Sequence, residues 1–190
     1  MAFIGLRKPY FSKATIAPTT GVITYGTPFA LGKAVSFNDT PNVAEANLYG
    51  DDALAESEKA VTSSALSLGT TDIPDSAKAD VFGHTKDTTS NEYEYNVDDS
   101  PEYCGFAVLG KKKVDGAVSY EAKFYPKTQW SEPSVDYQTR GENTEFTTPS
   151  TNGTAMADKD GNYKYEKTFS GETAEADALA WINSKFGVQG

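Results

Sequence analysis

Two adjacent segments with different hydrophobic patterns constrain the fold of this chain most strongly. Residues 102–109 form an almost uninterrupted apolar run, which predicts a strand buried on both faces. Residues 118–124 alternate instead, with Val118 and every second residue up to Phe124 apolar and the residues between them polar. This alternation predicts a strand with one buried face. The Asp115-Gly116 pair between the two segments is a turn signal, so we expect an antiparallel hairpin.

Five further segments have the composition and length of strands. They are residues 21–25, 31–38, 93–97, 144–148 and 163–169. Gly, Pro, Asn and Asp separate these segments, and the regular helical crossovers of a parallel sheet do not alternate with them. The sequence therefore predicts a mainly β protein, an antiparallel β-sandwich or incomplete barrel. A chain of 190 residues suits one domain, which we assign to residues 1–190.

Two helices are expected beside the sheet. A short one has Asp72 as its capping residue, Pro74 in its first turn and Gly83 after its end. Its predicted buried stripe consists of Ile73, Ala77 and Val81, with Phe82 beside them. A second helix is predicted over residues 173–186 near the C-terminus. We expect it to dock on the sheet chiefly through Trp181, together with Ile182 and Phe186.

Two long segments contain apolar residues but have no clear strand pattern. Residues 39–58 mix acids with Val43, Leu48, Tyr49 and Leu54, and are predicted to be an extended loop or arm. Such apolar residues pack either on the chain's own domain or on a neighbouring molecule. Residues 126–144 are predicted to be a second long loop, polar around an exposed Trp130 and Pro133.

Residues capable of catalysis or metal binding are scarce. The one histidine, His84, and the one cysteine, Cys104, are too few for a zinc site, and Cys104 lies in an apolar strand where a thiol is inert. The acidic stretch at residues 158–162 lacks the spacing of a calcium loop and is predicted to be a turn. Residues 105–112 lack the final Ser or Thr of a phosphate-binding loop. We therefore expect no enzyme activity, no catalytic residue, no metal and no cofactor.

The charge of the chain argues against binding to nucleic acid. There are 27 acidic and 17 basic residues, a formal net charge of −10, and the acids are spread along the sequence. Nucleic-acid binding needs a basic surface, and the basic run at residues 111–113 is better explained as a solvated hairpin end. No segment has the apolar length of a signal peptide core or of a membrane span, so we expect no membrane association.

Several sequence blocks, in order and at matching spacing, resemble one protein family. They include residues 1–13, 32–35, 47–58, 82–84 and 105–149, the last containing Tyr120-Glu121-Ala122, Trp130-Ser131-Glu132-Pro133 and Phe146-Thr147-Thr148-Pro149, and the Ala180-Trp181 pair of the final helix. With these blocks the chain resembles the major tail proteins, or tail tube proteins, of long-tailed bacteriophages and prophages. The resemblance covers nearly the whole length, although no single block is diagnostic.

The resemblance implies a structural subunit and not an enzyme. Proteins of this family form homo-hexameric rings that stack into a hollow tube for DNA ejection, so the expected location is the virion tail, assembled in the host bacterial cytoplasm. The expected partners are other copies of the chain and the tape-measure, tail terminator and tail-tip proteins, and DNA passes through without specific binding. The arm over residues 42–58 is the expected contact between rings, through Val43, Leu48, Tyr49, Asp51, Asp52 and Leu54.

Two other functions remain open from the residues alone. A β-sandwich module that binds carbohydrate or a cell surface would use exposed aromatic residues such as Trp130 and the eleven tyrosines. A hydrolase would use paired carboxylates, such as Asp51-Asp52 or Asp98-Asp99, but pairs of acids arise freely in a chain this acidic.

Overall fold

A computed structural model describes residues 2–51, 53–114, 116–135, 137, 139 and 147–188. The strands are β1 (Ala2–Ile16), β2 (Ile23–Tyr25), β3 (Phe29–Ala30), β4 (Ala34–Gly50), β5 (Ala53–Thr70), β6 (Thr85–Lys86), β7 (Tyr93–Glu94), β8 (Cys104–Val114), β9 (Ala117–Trp130), β10 (Ser150–Met156) and β11 (Tyr165–Ser170). The helices are α1 (Asp75–Asp80) and α2 (Ala174–Lys185). The mainly β, antiparallel prediction with two helices is confirmed.

Nine of these strands form one antiparallel sheet. Its order is β2–β1–β8–β9–β10–β5–β4, with β3 also paired to β1 and β11 also paired to β9. The long strand β9 divides the sheet, because its first part pairs with β11 and its last part pairs with β10. Strands β6 and β7 form a separate two-stranded sheet. The predicted hairpin of β8 and β9 thus lies in the middle of the sheet.

The middle of the sheet is covered on both faces. Phe106 and Val108 of β8 point into a large core that also contains Phe11, Leu68, Tyr125 and Trp130 and packs against α1. The alternate residues Ala107 and Leu109 point to the other face, where α2 covers them. This alternation explains why residues 102–109 lack a polar face, since one face packs on the core and the other on a helix.

The two helices differ from the prediction in detail. Helix α1 begins after Pro74, with no side-chain capping bond, so the assignment of Asp72 as its cap is wrong. Ala77, Val81 and Phe82 are buried as expected. Helix α2 places Ala174, Ala178, Ile182 and Phe186 in the sheet-covering cluster.

Trp181 packs at the edge of that cluster instead of in its centre. It is partly buried, and its ring lies 6.3 Å from the ring of Phe169. The helix is therefore centred on the row from Ala174 to Phe186, and the small alanines of that row allow a close approach to the sheet.

Several segments proved to be strands that the pattern had not shown. Residues 39–50 and 53–58, expected as part of a loop, belong to the paired strands β4 and β5. Residues 126–130, also expected as loop, are the end of β9. The N-terminal β1 and the strand β10 had not been predicted. Of the predicted strand at residues 144–148, residues 144–146 lie outside the described residues and the last two have no regular structure.

Trp130 is buried, not exposed as expected. Its exposed fraction is 1%, and its ring lies 5.2 Å from that of Phe11 and 5.0 Å from that of Phe106. The indole N–H donates to the hydroxyl of Thr128 at 2.8 Å, so burial leaves no polar group unpaired. The side chain is a core residue and offers no surface to a carbohydrate.

Candidate assembly interface

The most exposed apolar residues of a regular element lie on the outer half of the β4–β5 hairpin. Strand β10 supports β5 only as far as the pair of Ala155 with Ser64. Beyond that point the described residues show β4 and β5 paired with each other alone. We call this two-stranded part, residues 42–62, the ribbon. Its eight pairs from Val43–Val61 to Gly50–Ala53 span roughly 25 Å at the usual rise of a strand.

The ribbon has apolar residues on both of its faces. Cross-strand partners point to the same side, so Val43 and Val61 share one face. Tyr49 lies six residues after Val43 along β4, an even number, and therefore points to that face too. Ala44 and Ala60 share the opposite face, together with Ala46 and Leu48. The exposed fractions are 54% for Val43, 61% for Leu48 and 68% for Tyr49. Glu56 and Glu58, the partners of Leu48 and Ala46, lie on this second face as well, so both faces mix apolar and charged residues.

The ribbon is also strongly acidic. Its sequence carries Glu45, Asp51, Asp52, Glu56 and Glu58 against the one basic residue Lys59. Lys59 pairs with Glu45 at 3.0 Å on the face that carries Val43 and Tyr49. The described acids are exposed, which leaves them in water in the isolated subunit.

The predicted contact residues all belong to the ribbon. Val43 is exposed at its base, and Leu48 and Tyr49 are exposed near its outer end. Asp51 lies in its turn with a φ of 49°, a value usual in tight hairpin turns. Leu54 belongs to β5 and pairs with Tyr49, but its side chain is outside what the structure describes. Asp52 also lies outside the described residues.

A second apolar edge lies at the start of β1. The part from Ala2 to Arg7 pairs with β8 on one side, whereas β3 and β2 pair on the other side only from Tyr10 onward. Phe3 and Ile4 are more than half exposed there. The register shift between Arg7 and Tyr10 interrupts this edge, a device that limits uncontrolled strand pairing. The sequence had drawn attention to this segment only through family resemblance.

A groove of about 640 Å³ separates this edge from the base of the ribbon. Phe3 and Leu6 line it from β1, and Val35 and Phe37 line it from β4. Its floor contains Glu121, expected on a polar outer face but only 3% exposed. Glu121 pairs with Lys112 and, at 3.3 Å, with Lys123, so the buried carboxylate is compensated.

His84 is held between two carboxylates. Its Nδ1 lies 2.8 Å from Asp99 and its Nε2 lies 2.5 Å from Glu132, while its ring packs 4.1 Å from that of Tyr95. Burial alone would lower the pKa of His84, but the hydrogen bonds to Asp99 and Glu132 outweigh it and raise the pKa above its usual value. Both ring nitrogens are occupied by acids, so the imidazole has no free nitrogen to activate a nucleophile.

Cys104 lies in a setting that makes a thiol unreactive. The Cys104 thiol is fully buried and donates to the carbonyl of Asp80, and burial raises its pKa to about 12. Residues 158–162 form the predicted turn, closed by a hydrogen bond from the amide of Asp158 to the carbonyl of Asn162. Within the described residues, no cluster of acids, His and Cys is placed to hold a metal ion, and no helix is long and apolar enough to cross a membrane.

No family model matches the chain, and comparison with curated proteins finds no similar sequence.

Proposed function

We propose that this chain is the tube-forming subunit of the tail of a long-tailed bacteriophage or prophage. The observation that carries the proposal is the ribbon, which extends from the body with apolar residues on both faces. An isolated two-stranded hairpin is at best marginally stable in water, so such an element gains most from a partner that covers it. The family that the sequence resembles assembles from copies of one chain, so the proposed partner is another copy of this chain.

The proposed assembly is head-to-tail. In it, the ribbon of one subunit contacts a different surface of a subunit in the neighbouring ring, a heterologous contact that propagates into an open tube instead of closing as a dimer. Fully burying a side chain such as Leu48 or Tyr49 contributes about 1.5–3 kcal/mol. Each subunit of a hexameric ring would supply one ribbon, so these contributions would add around the ring.

The acidic charge suits the proposed role as a DNA conduit. Proteins bind DNA tightly by placing Lys and Arg against phosphates and releasing counterions. A subunit with a net charge of −10 lacks that excess of cations, so DNA would move through the tube without being held. The tube would grow with the tape-measure, terminator and tail-tip proteins and would form part of the virion.

The proposal is tested by negative-stain electron microscopy across a concentration series, with light scattering on the same samples. We expect rings or hollow tubes for the wild-type protein, alone or seeded with a tail-tip complex. The double variant Leu48→Asp with Tyr49→Asp should remain a folded subunit and form no tubes, because two charges would enter the ribbon contact.

A matched control changes two apolar residues away from the ribbon. Val97 and Tyr137 are more exposed than Leu48 and Tyr49, so Val97→Asp with Tyr137→Asp adds the same charge elsewhere. We expect this control to assemble like the wild type. Normal tubes from the ribbon variant would reject the ribbon as the contact. A wild-type protein that stays monomeric even with the tail-tip complex would reject the function itself.

A further inference from the structure

One carboxylate at the base of the ribbon accepts hydrogen bonds from three separate parts of the chain. Asp39 of β4 accepts from the hydroxyl of Ser64 in β5 at 2.5 Å, from the hydroxyl of Tyr125 in β9 at 2.7 Å and from the ammonium of Lys164 at 3.0 Å. Its side chain is largely buried. The four residues join the hairpin to the middle of the sheet and to the segment that leads into β11.

Burial alone would raise the pKa of Asp39, but the hydrogen bonds from Ser64, Tyr125 and Lys164 outweigh it and lower the pKa. The carboxylate is therefore ionised at neutral pH. Hydrogen bonds to a charged acceptor are stronger than those between neutral groups, so this cluster is a firm attachment.

The position of this cluster coincides with the point where the ribbon loses its support. Ser64 pairs with Pro41 on one side and with Ala155, the last β10 residue along β5, on the other. Pro41 has no amide N–H to donate to the ladder. Immediately beyond it the register shifts, because Asn42 pairs with Ser63 but Val43 pairs with Val61. A bulge of this kind bends a strand and increases its twist.

We propose that Asp39 is a positioning residue that fixes the direction in which the ribbon leaves the body. Pro41 and the bulge make the base of the ribbon easy to bend, and bending there would move its end by many ångströms. The bonds from Tyr125 and Lys164 tie Asp39 to the rigid sheet, and the bond from Ser64 ties the second strand to the first. The orientation of the ribbon is then set in the free subunit, before any partner binds.

The consequence for assembly rests on the proposed function. A ribbon with a variable direction loses conformational entropy when a partner orders it. A ribbon already held in one direction avoids that loss. Under that function, loss of Asp39 would raise the concentration needed for tube growth. The orientation itself is a property of the single subunit and can be measured without any assembly.

The test is a distance measurement by pulsed electron paramagnetic resonance on the full-length soluble subunit. Spin labels are attached at Ser57→Cys in the ribbon and at Glu172→Cys before α2, both exposed positions, in a Cys104→Ala background. We expect one narrow distance distribution with Asp39 present. Asp39→Ala should shift the distribution or broaden it about twofold, as release of a hinge does. Asp98→Ala, which removes an exposed acid elsewhere, should leave it unchanged.

A second variant separates orientation from stability. Tyr125→Phe with Lys164→Gln removes two of the three donors and keeps the aromatic ring in the core, so it serves if Asp39→Ala does not fold. We expect broadening with this variant as well. If either folded variant melts at a lower temperature but keeps the narrow wild-type distribution, Asp39 only stabilises the body and the proposal is wrong. Broadening in a protein that never forms tubes would support the positioning role and reject the tube function.

Discussion

The β8–β9 hairpin and the ribbon are both long antiparallel pairs, yet they differ in what covers them. In β8, Phe106 and Val108 pack into the core on one face, and Ala107 and Leu109 pack under α2 on the other. In the ribbon both faces also carry apolar residues, but the described side chains of residues 42–49 and 55–62 are exposed. The two hairpins therefore share a local structure, but the apolar side chains in the middle of the β8–β9 hairpin are buried within the chain and those of the ribbon are exposed.

This difference shows that strand formation and stabilisation are separate problems. Backbone pairing along the ribbon satisfies its inner hydrogen bonds, but little apolar area leaves water. The central hairpin gains its burial within the chain, so its side chains determine whether the subunit folds. The ribbon's side chains are free to serve a contact between molecules, and their loss should leave the subunit folded.

The largest effect on folding is expected at Trp130. Trp130→Ala removes a ring packed against Phe11 and Phe106, and should lower the free energy of unfolding by about 3–5 kcal/mol. Tyr49→Ala removes an exposed aromatic ring from the ribbon and should change it by no more than about 0.5 kcal/mol. Urea denaturation of both variants measures the contrast. Equal losses would mean that the ribbon is folded against the body and would break the comparison between the two hairpins.

The next largest effect separates two neighbouring residues of α2. Ile182 is fully buried against the sheet, so Ile182→Ala should cost about 2–5 kcal/mol. Trp181 lies at the edge of the same cluster, so Trp181→Ala should cost roughly half of that, despite its larger side chain. Thermal melts at matched concentration decide the order. A larger loss at Trp181 would restore the sequence-based view that the helix docks through its tryptophan.

The covered part of the fold was the easier part to predict. The uninterrupted apolar run of β8 follows directly from burial on both faces, and the predicted hairpin of β8 with β9 was confirmed. The single buried face predicted for β9 was wrong, because Glu121 on the other face is also buried. Helix α2 was also predicted nearly to its ends, because Ala174, Ala178 and Ile182 recur at helical spacing.

The ribbon was predicted as a loop because neither of its faces has a single polarity. Leu48 and Ala46 share one face with their cross-strand partners Glu56 and Glu58. Val43 and Tyr49 share the other face with the pair of Glu45 and Lys59. Burial periodicity is the main signal for a strand, and an exposed ribbon has none. Asp39 was missed for a related reason, since its partners Ser64, Tyr125 and Lys164 are distant in sequence and meet only in the folded chain.

A smaller, pH-dependent effect on stability is expected at His84, which contacts Asp99 and Glu132. Its pKa is raised in the folded state, so its stabilising contribution is complete below the unfolded value of about 6.5 and disappears as the pH rises through the folded pKa. His84→Gln should therefore lose more stability at about pH 6 than at about pH 9, by roughly 2–4 °C in melting temperature. Thermal melts of the wild type and of His84→Gln between about pH 6 and about pH 9 measure this difference. A loss of melting temperature that is the same at every pH would show that the imidazole acts by packing alone.

The smallest effect on folding is expected in the ribbon, at the ion pair of Lys59 with Glu45. Both side chains are well exposed, so Lys59→Gln should change the free energy of unfolding by less than about 0.5 kcal/mol. The same change should matter far more if the proposed assembly covers the face that carries Val43 and Tyr49, because Glu45 would then be buried without its partner. Sedimentation across a concentration series separates free subunits from tubes, so it measures the effect on assembly for comparison with the effect on folding. If the variant folds and assembles like the wild type, this face of the ribbon stays in water in the proposed tube. The proposed contact would then have to use the opposite face, through Leu48 and its neighbouring alanines.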